Sequence, residues 1–321
     1  MRKGTIIAAL GAACLLAACG GGSGEGDTSE TPSSEPEAIT FADMMDRFGP
    51  EDGETMQIEF SDELRIAELA AEDPAWEELI TFGAAGIWEQ IGPDARDTLG
   101  IDLLGAEALF SVGGMPSSLL LMQGGQDEDL IVETASENGW SGTGTLTLDS
   151  DDVYADNLRS HANQLRPLED SVLVGARTAD MERLDAGGET LADDPHLAQL
   201  AECVGDAVAV RIVDAAYIGP GFQGTESANG AFAVGVLTDE GTQSVVCAIS
   251  DDAPALEGAV VDAVKNGDRE GYSSQPWADF LTVAETVVEG DLLRVVLGHV
   301  QGTDPGLLLK DAQQPGPPGF M

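Results

Sequence analysis

Chemistry in this 321-residue chain has few bases to draw on: three histidines and 14 Lys+Arg stand against 58 acids. His161, His196 and His299 are dispersed and show no metal-ligand spacing. A Ser-His-Asp site needs an exposed nucleophile beside its base, yet no Gly-x-Ser-x-Gly elbow is present and each histidine reads as a surface or cap residue. Gly20-Gly21-Gly22 and Gly113-Gly114 read as tether and turn, not as phosphate loops. Acids cluster at Asp127-Glu128-Asp129, Asp149-Asp151-Asp152, Asp193-Asp194 and Asp251-Asp252. Glycoside hydrolysis needs two carboxyl groups facing each other across a bond. With 58 acids, neighbours arise by chance, and Asp194 and Asp252 have simpler work as helix caps.

Asp149-Ser150-Asp151-Asp152 begins like a calcium loop, in which hard oxygen ligands alternate along the backbone. That loop then wants glycine and glutamate where Tyr154 and Ser160 stand, which excludes an EF-hand. A looser calcium site at Asp149, Asp151 and Asp152 is the one metal candidate, and a solvated turn is the simpler reading. Trp76, Trp88, Trp140 and Trp277 would suit a carbohydrate or lipid groove, but in a chain with 5% aromatics they read first as core anchors. No catalytic residue and no cofactor is assigned.

The first residues carry an address. Arg2 and Lys3 precede an apolar run from Thr5 to Ala18, which is short for a bilayer span and closes on small residues, as a secretory signal does. Leu16-Ala17-Ala18-Cys19 resembles the lipobox of bacterial lipoproteins. The resemblance implies cleavage before Cys19, lipid on its thiol, and anchorage to the outer face of the cytoplasmic membrane. Gly20 to Glu37 holds almost nothing to bury and reads as a disordered tether. Two acyl chains anchor stably where one would be marginal. Cys14 leaves with the signal and Cys19 takes the lipid, so Cys203 and Cys247 remain as a pair in an oxidising compartment, where a disulfide is expected.

The formal net charge is -44; without Arg2 and Lys3, 12 cations face 58 acids, near -46. Such a surface repels phosphate backbones and anionic headgroups, so nucleic acid is excluded as a partner. Divalent cations, cationic wall components and basic proteins are electrostatically acceptable, and solvation in salty surroundings accounts for the charge without any partner. The 43% apolar content allows a real core in the roughly 280 residues beyond the tether.

Those residues read as two similar halves. In the first, Phe41, Met44, Met45 and Phe48 share a helix face; Met56, Ile58 and Phe60 alternate as a strand. A helical stretch from Asp73 to Gln90 follows, then a hairpin of Ala106–Val112 and Ser118–Met122, a helix from Asp127 to Asn138 and a strand at Leu146 and Leu148. Tyr154, Leu158, Ala162 and Leu165 keep helical spacing, Val172–Val174 is a buried strand, and Thr178 caps a helix that ends at Gly187-Gly188. In the second, Asp194-Pro195 opens a helix. A strand over 206–213, a hairpin of 232–237 with 244–249, a helix over 254–265 and a hairpin of 286–288 with 292–297 follow. Asp304-Pro305 begins a last helical turn. The fold class expected is α+β: two related halves, each a mainly antiparallel sheet covered by helices on one face. The divisions are 1–18 signal, 19–40 tether, 41–190 first unit, 191–310 second unit and 311–321 flexible tail.

The order of elements, with Val172-Leu173-Val174-Gly175 leading to Leu191-Ala192-Asp193-Asp194-Pro195, is similar to a family of uncharacterised secreted proteins of high-GC Gram-positive bacteria, over residues 100 to 215. That resemblance implies no activity. The function expected is non-enzymatic: binding or scaffolding at the envelope, through an envelope protein or a small ligand, with a ligand sought at the junction near 187–206. A solute- or lipid-binding carrier is the alternative, and a carboxylate-dependent hydrolase a weaker one.

Overall fold

Strand β1 (Gln57–Asp62) has two faces of different kind: Ile58 and Phe60 on one, Glu59 and Ser61 on the other, all four buried. A strand buried on both sides belongs inside a sheet covered on both sides. β1 pairs antiparallel with β2 (Ala108–Val112) and with β8 (Ala209–Asp214). The computed structural model of the chain describes residues 39–50, 57–84, 95–148, 160–214, 231–269, 275–312 and 316–320.

From this centre a 12-stranded sheet extends both ways, antiparallel at every pairing. Beyond β2 lie β3 (Leu119–Gln123), β7 (Val172–Gly175), β6 (Gln164–Pro167), β5 (Thr145–Leu148) and β4 (Trp140–Thr143). Beyond β8 lie β9 (Ala231–Leu237), β10 (Gln243–Ile249), β14 (Leu292–His299) and β13 (Leu281–Glu289). A separate small ladder joins β11 (Asp268–Arg269) to β12 (Gln275–Pro276). The order β1-β2-β3-β7-β6 on one side of the β1–β8 seam is thus matched by β8-β9-β10-β14-β13 on the other. The boundary expected near residue 190 brings no break in the sheet.

Helices cover both faces, which corrects the expectation of one covered face. On the first, a single apolar cluster crosses the seam: Ile58, Phe60, Phe110, Val210 and Ile212 pack under α1 (Phe41–Met45) and α5 (Pro195–Val204). On the second face the core is divided. One cluster lies under α3 (Ala95–Leu99) and α4 (Glu128–Glu137) and includes Leu109, Leu120 and Val174. The other lies under α6 (Ala253–Asn266) and α7 (Leu307–Asp311) and includes Ala209, Val234, Val246 and Val295. Facing follows the same order: β3 and β10 each send alternate residues to the cluster beneath α4 or α6.

Local capping explains where the helices begin. Asp127, Asp194 and Asp252 each accept a backbone N–H from the first turn of α4, α5 and α6. Pro195 and Pro254 occupy early positions whose N–H groups would have no helical partner. α2 (Glu63–Glu72) has no counterpart in the sequence reading; Ile66 is buried on it, with Leu69 and Ala70 packed partly against the same cluster.

Three further expectations are corrected. Leu165 lies in strand β6, where it is buried opposite Val174, and not on a helix; Tyr154 and Leu158 fall outside the described residues. The short 3-10 turn Met181–Arg183 is capped by Asp180, while the Thr178 hydroxyl donates to the Pro116 carbonyl. Residues 316–320 are packed, not loose: Phe320 is 2% exposed with its ring 5.2 Å from that of Phe232. Burial of Pro317, Pro318 and Phe320 outweighs the proline content that suggested a free tail.

Candidate functional site

Charged side chains in a sheet centre are costly unless paired, so their presence marks the place to look. On the divided face, Glu59 of β1 and Arg211 of β8 stand directly opposite one another, 3% and 5% exposed. Arg211 donates from Nε and Nη2 to Glu59 Oε1, at 3.0 and 2.6 Å, and from Nη1 to the Leu309 carbonyl of α7. Gln57 Nε2 donates to the same carboxylate oxygen at 2.5 Å. The guanidinium also lies 4.7 Å from the centre of the Phe82 ring.

One pleat along, Ser61 is flanked by Leu109 of β2 and Ala209 of β8, which belong to the two different apolar clusters. The polar column of β1 is therefore what divides the core. Ser61 Oγ donates to Glu63 Oε1 at 2.5 Å and accepts the Gly83 N–H at 2.9 Å. Glu63 Oε2 accepts the Thr81 N–H at 2.9 Å. Burial pushes the Glu63 carboxyl up, with Asp62 adding to the rise, while the bonds from Ser61 and Thr81 oppose it. Thr81 has φ 68, an uncommon conformation for a β-branched residue. Gly83 presses so closely that a Cβ there would lie 2.7 Å from the Leu109 carbonyl oxygen. A turn at 81–84 is thus clamped onto the seam by two backbone N–H groups and one aromatic ring.

A second polar pair lies in the other half. Ser244 Oγ is 2.8 Å from His299 Nε2, and His299 Nδ1 is buried with no partner among the described residues. Burial pushes the imidazole down to about 4, against a weaker pull upward from Asp304. The geometry is that of a nucleophile and a base, but Ser244 has no exposed surface from which to attack a substrate. His299 is accordingly a strand residue inside the fold, not the surface or cap residue expected. His196 occupies the first turn of α5 and His161 precedes β6, so the fold keeps the three histidines on separate elements.

Cys203 of α5 and Cys247 of β10 form the expected disulfide, with S–S 2.03 Å and Cα–Cα 6.1 Å. It ties a covering helix to the sheet across 44 residues of chain. Asp194 and Asp252 are caps, as read. Trp76, Trp140 and Trp277 are buried, Trp140 donating from Nε1 to the Ala162 carbonyl; a groove lined by exposed tryptophans is not formed by these three. Cys19, Trp88 and the calcium candidates Asp149, Asp151 and Asp152 lie outside the described residues. Among the described residues no three His, Cys, Asp or Glu side chains gather to hold a metal ion. Residues 187–206 run along the undivided face through α5, on the opposite side of the sheet from the Glu59–Arg211 pair.

Glu59, Arg211, Ser61 and Glu63 carry no signal in the sequence reading. Their one trace is the polar position inside the Ile58–Phe60 alternation, which reads equally well as a solvated face. Neither a family model, nor a curated protein, nor a solved structure matches the chain.

Proposed function

We propose that the chain is a lipid-anchored protein of the cell envelope, held through Cys19, and that its folded part binds or scaffolds rather than turns over a substrate. The observation that carries this reading is the use made of the buried ionisable groups. Glu59 and Arg211 hold each other and the α7 backbone, and Arg269 holds Asp311 at 2.6 and 2.7 Å. A catalytic acid or base must have a position open to substrate, and these groups are committed to joining elements of the fold.

We further infer that the two sides of the sheet descend from one duplicated unit. The matched strand order supports this, as does the matched facing of α1 with α5 and of α4 with α6. Glu59 and Arg211 face one another where the two sides meet, so the sides are joined by complementary charges. A fused, doubly covered sheet of this kind presents a broad rigid surface, which suits a scaffold.

Photo-crosslinking in the native membrane followed by mass spectrometry would test the proposal, alongside a screen of purified protein against glycan, peptide and ester substrates. A reproducible envelope partner with no turnover is the expected result. Turnover that disappears in Glu63→Gln, with the fold intact, would overturn the passive reading.

A further inference from the structure

The segment after α7 is fastened in two different ways. α7 itself is bolted by charged contacts: Arg211 to the Leu309 carbonyl, Lys310 to Glu78 and Asp304, and Asp311 to Arg269. Residues 316–320 have nothing comparable. Among the described residues their backbone N–H bonds are local, Gly316 to the Asp311 carbonyl and Phe320 to the Pro317 carbonyl. Yet Pro317, Pro318 and Phe320 are buried, and Phe320 belongs to the apolar cluster beneath α6. Among the described residues, apolar contact is the main hold of Pro317 to Phe320 on the body.

The contact is also shape-specific. Phe320 rests on Phe232 at the start of β9, while Gly319, at φ 84, lies flat on the α6 backbone. A Cβ at 319 would come within 2.6 Å of both the nitrogen and the Cα of Val260. The groove therefore requires a glycine immediately before the aromatic residue. Two prolines ahead of it have little backbone freedom left to lose on docking.

We infer that the groove between α6 and β9 is a docking site for a proline-rich peptide of the type Pro-Pro-Gly-Phe, and that residues 316–320 are its resident occupant. A partner bearing such a segment displaces the resident without disturbing α7, because the charged bolts end at Asp311. Affinity for an outside peptide is then reduced by the fraction of molecules in which the groove is filled.

The test compares the full mature chain with one shortened to end at Pro315, each titrated with the peptide Gly-Pro-Pro-Gly-Phe and with its control Gly-Pro-Pro-Ala-Phe. The shortened chain is expected to bind the first peptide at least roughly ten-fold more tightly than the full chain does, and neither protein should bind the control. Equal affinity of the two chains, or no binding by a shortened chain whose circular dichroism is unchanged, overturns the inference. Should the shortened chain fail to fold, hydrogen exchange on the full chain decides. Amides of Gly319 and Phe320 exchanging about a hundred-fold faster than those of Phe232–Val234 support a releasable occupant; equal rates show a fixed part of the core and sink it.

Discussion

His299 illustrates what burial does to one residue. Its ring sits between β10 and the 300–304 turn, hydrogen-bonded to Ser244, and stays neutral in the folded chain until pH falls to about 4. The unfolded chain takes up that proton near the ordinary imidazole value of 6.5. Between those values the unfolded state binds more protons, so stability falls as pH drops from 6.5 to about 4, and this particular loss levels off below. Its size is about 3 kcal/mol at most, less for the part of the ring that water still reaches. Glu63 acts in the opposite sense. Its folded value is raised, so the stability it contributes is present below 4.5 and declines as pH rises through the folded value. The two are separated by comparing His299→Gln with the parent in urea unfolding across pH 4 to 7. The variant's stability should be flatter over that window; a parallel pair of curves would show that the ring is not the titrating group. Neither residue was legible in the sequence. A lone histidine at a strand end and a glutamate at a helix start look like solvated positions, and only the fold of chain around them removes the water.

At the scale of elements, most strands and helices followed from short-range signals. The alternation of Ile58 and Phe60, the hairpin of β9 and β10, and the aspartates before α4, α5 and α6 all act within a few residues. What alternation does not contain is which strands become neighbours. Glu59 and Arg211 are 152 residues apart, and their pairing turns two apparent units into one sheet. The same limit hid the second covered face: a strand like β1, with a glutamate and a serine between its apolar residues, reads as half-solvated until α6, α7 and the 81–84 turn are placed over it. The Cys203–Cys247 link was legible because counting, not distance, carried it. In the chain-entropy view its 44-residue separation is worth about 4 kcal/mol. The Glu59–Arg211 pair should show the asymmetry of buried ions. Arg211→Met alone leaves the carboxylate without a counter-charge and should cost about 3–5 kcal/mol. Combining it with Glu59→Leu should recover most of that loss. Urea unfolding of the two variants gives both numbers. A single replacement costing under about 1 kcal/mol would mean that the pair does not hold the seam.

For the whole molecule, charge and address dominate. With -44 overall and only 14 Lys+Arg, many of which are engaged in ion pairs such as Arg47–Asp185, Arg294–Glu285 and Lys310–Asp304, the surface is left strongly negative. Among the described residues no helix is long and apolar enough to cross a membrane. An acidic body is repelled by anionic headgroups, so the membrane attachment proposed above is a covalent one, outside the described fold. That is the role proposed for Cys19, and the envelope location depends on it. The direct measurement is mass spectrometry of the N-terminal peptide from protein extracted from native membranes, set beside fractionation of Cys19→Ala. A mature chain that begins at Cys19 and carries a diacylglycerol mass on it, with the variant unprocessed or shed, is the expected result. An N-terminus elsewhere with an unmodified Cys19, or a Cys19→Ala chain processed at the same site and retained in the membrane, would contradict it.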